Sequence, residues 1–196
     1  VGTKLVYGRE QLIEKFHQFG IIKRKGPEYP AGFKLKSGEI SDIYINIRDL
    51  IRIPTLFNFT MHAMYQLIDY NYVNDHTDPC IMGIPTMGAV IAPIMAYKKS
   101  YRLVVIRQSK KDHGIGKDIE GELTRNIIMV DDVVTSETSI HETTEHYITP
   151  AFGNDYELDI FVIVDRRKKP GITERLYSLV TLEEIRKFEP KQKRSR

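Results

Sequence analysis

The chain has 196 residues, of which 41% are apolar and 28% charged, with a net charge of +3. This suits one folded domain with a sizeable core, and the charge is too mild to argue for nucleic acid as a partner. The single cysteine, Cys80, excludes an intrachain disulfide and a zinc cluster, and no apolar run reaches transmembrane length. A lone cysteine in an apolar context reads as a small buried residue and fits a reducing compartment, so the cytoplasm is expected. The sequence starts at Val1, which leaves a removed targeting segment, and with it the mitochondrion, open.

Leu12, Ile13 and Phe16 fall at helical spacing within 11–19, and Gly20 is a natural stop. A Pro/Gly-rich turn covers 26–32. Residues 33–35 and 43–47 read as two short strands around a Lys-Ser-Gly turn. Pro54 opens a long helix to about Tyr70. A buried strand (80–84), a small-residue helix (88–97) and another strand (103–106) follow. Residues 107–121 are polar, basic and glycine-rich, with neither period. A strand over 127–130 leads to a helix over 139–147. An apolar strand over 158–164 ends at Asp165-Arg166-Arg167, and 176–180 and 182–188 supply a last strand and helix. From Cys80 on, strands and helices alternate, which predicts an α/β fold with a parallel sheet flanked by helices. Residues 1–50 lack that alternation and read as a hood with an N-terminal helix, set on a core of about 51–190 with a basic tail at 191–196.

The densest signal is Ile127-Ile128-Met129-Val130-Asp131-Asp132-Val133-Val134-Thr135-Ser136-Glu137-Thr138-Ser139. Four apolar residues run into two acids, then into a turn rich in hydroxyls. Acids at the carboxyl end of a strand sit where open α/β sheets place ligands. Hydroxyls and unpaired N–H groups at the start of a helix suit phosphate. The unit reads as a site for a phosphorylated sugar. A bare acid pair before a helix is more often just a cap. Basic residues over 107–117 and at Arg166 to Lys169 add the charge that a polyanionic small molecule needs. The basic tail reads as a solvated end. The remaining histidines, His17, His62, His76, His141 and His146, show no ligand-like grouping.

Four segments combine with that unit: Leu35-Lys36-Ser37-Gly38 followed by Ser41, Tyr44 and Arg48; Thr86-Met87-Gly88-Ala89; Lys111-Asp112-His113-Gly114 followed by Ile119-Glu120-Gly121; and Asp165-Arg166. In these residues, in this order, the chain resembles the type I phosphoribosyltransferases, and among them the orotate phosphoribosyltransferases, over about 12–188. Each segment alone has a bland reading, as a turn or a solvated loop; the joint occurrence carries the resemblance.

The resemblance implies transfer of a phosphoribosyl group from phosphoribosyl pyrophosphate (PRPP) to orotate in pyrimidine synthesis, with Mg²⁺ carried on the PRPP rather than by the protein. It implies that Asp131 and Asp132 hold the ribose hydroxyls, and that Thr135, Ser136, Glu137, Thr138 and Ser139 cradle the 5′-phosphate. Thr86, Met87, Gly88 and Arg107 would meet the pyrophosphate. Lys111 and His113 would close over the leaving group from the neighbouring subunit of a homodimer. Lys36, Ser37, Tyr44 and Arg166 would hold orotate.

Among the departures from the family, two weaken the substrate site. Glu137 stands where its phosphate loop has glycine, and Gln108 where lysine usually follows Arg107. A carboxylate about 5 Å from a phosphate costs roughly 3 kcal/mol at an effective dielectric near 20, on the order of a hundredfold in affinity. A side chain turned to solvent would suffer less. The alternative reading is thus a catalytically impaired subunit with a structural role in a larger assembly, mitochondrial assemblies included. A regulator that senses PRPP without turning it over is a third. No membrane contact is expected.

Overall fold

The structure, a computed structural model, describes residues 8–34, 38, 40–72, 78–107, 118–167, 171 and 175–190. After helix α1 (Arg9–Gln18), two small antiparallel ribbons make the hood. Strand β1 (Ile22–Arg24) pairs with β4 (Ile43–Ile45), and β2 (Phe33–Lys34) with β3 (Ile40–Ser41). The sequence expectation of one hairpin between 33–35 and 43–47 is therefore corrected. Ser41 breaks the second strand: its hydroxyl donates to the Ile43 carbonyl at 2.7 Å and accepts from the Ile43 N–H at 3.2 Å. Such local bonds compete with a strand ladder. Past that break, the apolar Ile43 and Ile45 are free to pair with β1, which the sequence reading missed. A 3₁₀ turn (Ile47–Arg52) then leads into α2 (Pro54–Asn71), with Pro54 in its first turn.

The central sheet holds β5 (Cys80–Gly83), β6 (Arg102–Ile106), β7 (Ile119–Glu120), β8 (Asn126–Val134), β9 (Glu157–Asp165) and β10 (Leu176–Thr181), in the order β10-β9-β8-β5-β6-β7. The expected parallel sheet needs one correction, because β7 joins the edge antiparallel to β6. Two residues within a glycine-rich stretch carry no legible period. Helix α3 (Gly88–Lys99) links β5 to β6. A helical run of α4 (Thr138–Thr143), a π turn (Thr144–Ile148) and α5 (Thr149–Phe152) links β8 to β9. Pro150, which has no N–H to give the preceding turn, accounts for the break in that run. The short α6 (Leu182–Lys187) starts directly from β10. Thr181 accepts from the Glu184 N–H while the Glu184 carboxylate accepts from the Thr181 N–H, a reciprocal cap.

Alternation along the strands divides the interior into two cores. Ile81, Ile128, Val130, Phe161 and Ile163 face α1, α2, α3 and α6. Met82, Val104, Ile127, Met129, Ile160 and Val162 face the α4 side with Ile140 and Ile148. Each fully buried aliphatic or aromatic side chain contributes roughly 1.5–3 kcal/mol, so both faces hold the sheet. Cys80 is free and buried, as expected.

The connections place the site. From β5 the chain moves through α3 to β6 on one side; from β8, on the other side of β5, it moves through α4 to β9. Ligands of such sheets bind outside the carboxyl ends, where this order reverses. Here that point is the crevice between the ends of β5 and β8. Among the described residues, no helix is long and apolar enough to cross a membrane.

Candidate active site

Two strand-to-helix turns meet at the crevice. The first joins β5 to α3 and folds back tightly. A Cβ on Gly83 would stand 2.0 Å from the Gly88 carbonyl oxygen, and one on Gly88 would stand 2.3 Å from that of Val130. The Ile84 N–H donates to the same Val130 carbonyl at 3.0 Å, and the Pro85–Thr86 peptide is cis. Of the residues expected to meet pyrophosphate here, Thr86 is exposed, while Met87 is buried in the core. Gly88 is glycine because two backbones touch. Met87 and Gly88 therefore offer a ligand backbone rather than side chains.

The second turn joins β8 to α4. Thr135, Ser136, Thr138 and Ser139 are exposed, with the Ser136 and Thr138 hydroxyls 2.9 Å apart. Glu137 has φ +57°, the left-handed region that favours glycine, and it is 6% exposed. Its carboxylate is withdrawn from open water, which corrects the expectation of a solvent-facing side chain, and the residue lines the same small cavity as Thr135, Ser136, Thr138 and Ser139. It accepts from the Arg167 guanidinium and lies 3.7 Å from His141 Nε2. It also rests on Gly171, where a Cβ would come within 1.6 Å of Oε1. Arg167 in turn donates to Asp165 at 2.8–3.1 Å. The Asp165 bond first, and then the one to Glu137, push the guanidinium pKa up.

The acid pair lies within β8, not beyond it. Pairing with β9 continues through Asp131↔Val162 to Val134↔Asp165, because the apolar run of β9 offers a partner that far. The Asp132 N–H donates to Asp131 Oδ1 at 2.8 Å. Burial, and then the Asp132 carboxylate beside it, push the Asp131 pKa up to about 8. Arg48, on the 3₁₀ turn that packs against β8, pulls in the opposite direction. The sequence motif included Arg48 without giving it this part.

Register places Asp165 and Arg166 beside the second turn, and the Arg166 N–H donates to the Val134 carbonyl at 2.9 Å. The guanidinium is half-buried and its Nε is buried without a hydrogen-bond partner among the described residues. Burial, then Arg186, lowers its pKa. The acids Asp165 and Asp159 bind Arg167 and Arg175. Tyr44 stands on the hood, stacked on Phe33 at 5.5 Å. Arg107 pairs with Glu120. It borders a cleft of about 850 Å³ with Pro85, Ser139, Glu142 and His146, so both turns open onto one space. Lys36, Ser37, Gln108, Lys111 and His113 lie outside the described residues.

Sequence reasoning missed Arg167 and His141 as partners of Glu137. A run of Asp-Arg-Arg showed a basic cluster, but no spacing says which acid 30 residues away it meets.

No protein-family model matches the chain. Orotate phosphoribosyltransferase of Pyrococcus horikoshii is 32% identical over 185 residues, covering 90% of this chain and 92% of that protein. That of Methanopyrus kandleri is 27% identical over 191 residues, covering 93% and 94%. The crystal structure of orotate phosphoribosyltransferase from Aeropyrum pernix matches with a TM-score of 0.67 at 26% identity, over 89% of this chain and 95% of that one. Near-complete coverage in both directions joins the acid pair, the hydroxyl turn and the Asp-Arg strand end in one pattern: the chain belongs to the orotate phosphoribosyltransferase family.

Proposed function

We propose that the chain transfers a phosphoribosyl group from PRPP to orotate, giving orotidine 5′-monophosphate and pyrophosphate. The observation that carries this is Arg166. A half-buried guanidinium at the strand end beside the hydroxyl turn, its buried Nε without a hydrogen-bond partner among the described residues, suits a planar carboxylate ligand. A buried donor left unmade is costly, and an anion removes that cost.

In the step, the orotate ring nitrogen forms a bond to C1′ and loses its proton to solvent. The C1′–O bond breaks, and its electron pair leaves with pyrophosphate. Positive charge grows on the ribose ring, so the Asp131–Asp132 pair acts electrostatically while holding the hydroxyls. Burial and the neighbouring Asp132 carboxylate raise the Asp131 pKa, and a cation bound beside the pair would favour its ionised form. Thr135, Ser136, Thr138 and Ser139 bind the 5′-phosphate. Thr86, the backbone of Met87 and Gly88, and Arg107 orient the pyrophosphate. Lys111 and His113 belong to the lid of a partner subunit in a homodimer, and Lys36, Ser37 and Tyr44 to the orotate side; these assignments rest on the family resemblance.

The acid pair also fits a hard divalent cation brought in on diphosphate oxygens. The described residues hold no cluster of three or more His, Cys, Asp or Glu side chains able to bind one outright. Bound Mg²⁺ would neutralise the leaving group.

The test is orotate consumption and pyrophosphate release by the purified chain with PRPP and Mg²⁺. Turnover supports the proposal. PRPP binding without turnover makes the chain a sensor, and neither binding nor turnover makes it a non-catalytic subunit.

A further inference from the structure

We propose that Arg167 is a positioning residue that makes a glutamate tolerable in the phosphate turn. It neutralises Glu137 through a buried ion pair, so that the exposed hydroxyls of Thr135, Ser136, Thr138 and Ser139 face a phosphate without a competing negative charge. The inference rests on the phosphate-binding part of the proposed function, not on turnover.

Three observations carry it. Along the turn, four hydroxyl residues are exposed while the one charged residue among them is buried. The Glu137 backbone is left-handed, a conformation few side chains adopt, so the surroundings must hold it there. The side chain ends in a prepared cradle: the Arg167 guanidinium, His141 Nε2 at 3.7 Å, and Gly171, whose missing Cβ leaves the space the carboxylate fills. Arg167 also grips Asp165, one residue before Arg166. The same guanidinium thus ties the phosphate turn to the strand end that carries the proposed orotate anchor. A fork with several donors can hold two carboxylates at once, which a lysine does less well.

The chemistry is charge compensation. Remove the guanidinium, and the carboxylate in the phosphate turn loses its nearest cation. A unit charge roughly 5 Å from a phosphate, at an effective dielectric near 20, weakens binding about a hundredfold. Remove the carboxylate as well, and the penalty goes with it. This differs from a purely structural part, in which loss of Arg167 harms binding whatever stands at 137.

The experiment measures PRPP binding with Mg²⁺ by calorimetry at pH 7.5, together with orotate turnover, for the native chain and for Arg167→Met, Glu137→Gln/Arg167→Met and Arg167→Lys. The expected result is about hundredfold weaker binding by Arg167→Met, with the double variant back within about threefold of native and Arg167→Lys within about tenfold. Native binding by Arg167→Met overturns the proposal, and so does a double variant as weak as the single one. Should Arg167→Met not fold, the other two variants decide: hundredfold loss in either overturns it. A native chain that does not bind PRPP sinks both this inference and the proposed function. A native chain that binds PRPP without consuming orotate sinks the proposed function alone, and the variants still decide this one.

Discussion

The two turns at the crevice solve the same problem by different means. Each takes the chain from a parallel strand into a helix beside a ligand space. The turn after β5 does it with glycine, because backbones meet: Gly83 and Gly88 leave no room for a Cβ against carbonyl oxygens at 2.0 and 2.3 Å. The turn after β8 also needs a backbone shape that favours glycine, yet holds Glu137 at φ +57°. There the demand is conformational and not steric. A left-handed non-glycine residue is held at a cost of order 1–3 kcal/mol when its surroundings over-determine it. Arg167 supplies the surroundings. Close backbone approach therefore excludes every side chain, whereas a positive φ alone admits one that finds a partner.

Gly83→Ala should give the largest effect. Its Cβ meets backbone, which cannot step aside, so a loss of about 3 kcal/mol is expected. At roughly 2–4 °C per kcal/mol for a chain of this size, the Tm falls by about 6–12 °C. Thermal unfolding followed by circular dichroism reads this, and an unchanged Tm would dissolve the contrast between the turns.

Arg166→Gln comes next and acts on function. It removes the charged donor beside the second turn, worth about 1.5–3 kcal/mol for a bond to an anion. Orotate kcat/KM should fall roughly 10–150-fold while the KM for PRPP stays within about threefold of native. Equal losses for both substrates would move Arg166 out of the orotate site.

Asp131→Asn tests the acid pair by pH. The folded pKa of Asp131, about 8, lies above its ordinary value of 3.8. The folded state thus holds the proton more tightly, and its stability falls as pH rises between those values. Asparagine does not ionise. The variant should match the native chain near pH 4 and exceed it by a margin that grows as pH rises to about 8, with turnover lost. Urea unfolding at pH 4.5 and 8.5 measures the difference; a gap that shrinks with rising pH would reverse the assignment.

The β8 turn was legible in the sequence because its signal is local: apolar run, acids, hydroxyls. So was the α/β core, since the periods of β5, β8 and β9 are unbroken. The hood was misread because Ser41 turns the chain by a side-chain bond that leaves no trace in hydropathy. β7 escaped because two residues make no period. The fate of Glu137 was not legible either. The expectation weighed a carboxylate facing phosphate against one facing water. The third outcome, a buried ion pair, exists only because β9 runs in register with β8 and delivers Arg167 there.

The smallest effect should come from Glu137→Gly. Glycine relieves the left-handed backbone by about 1 kcal/mol relative to a side chain there. Against this stands the loss of a buried ion pair. Arg167 is not orphaned by that loss, since it keeps Asp165 at 2.8 Å. Removing one partner of a buried pair is severe only when the other is left uncompensated. The two changes offset, and unfolding in urea should shift by less than about 1 kcal/mol in either direction. PRPP affinity should stay within about threefold of native, since Arg167 already cancels most of the charge that the substitution removes. A hundredfold gain in affinity from Glu137→Gly would mean that the native carboxylate is not compensated at all. The glutamate would then be a lesion in the phosphate turn rather than a neutralised substitute for glycine.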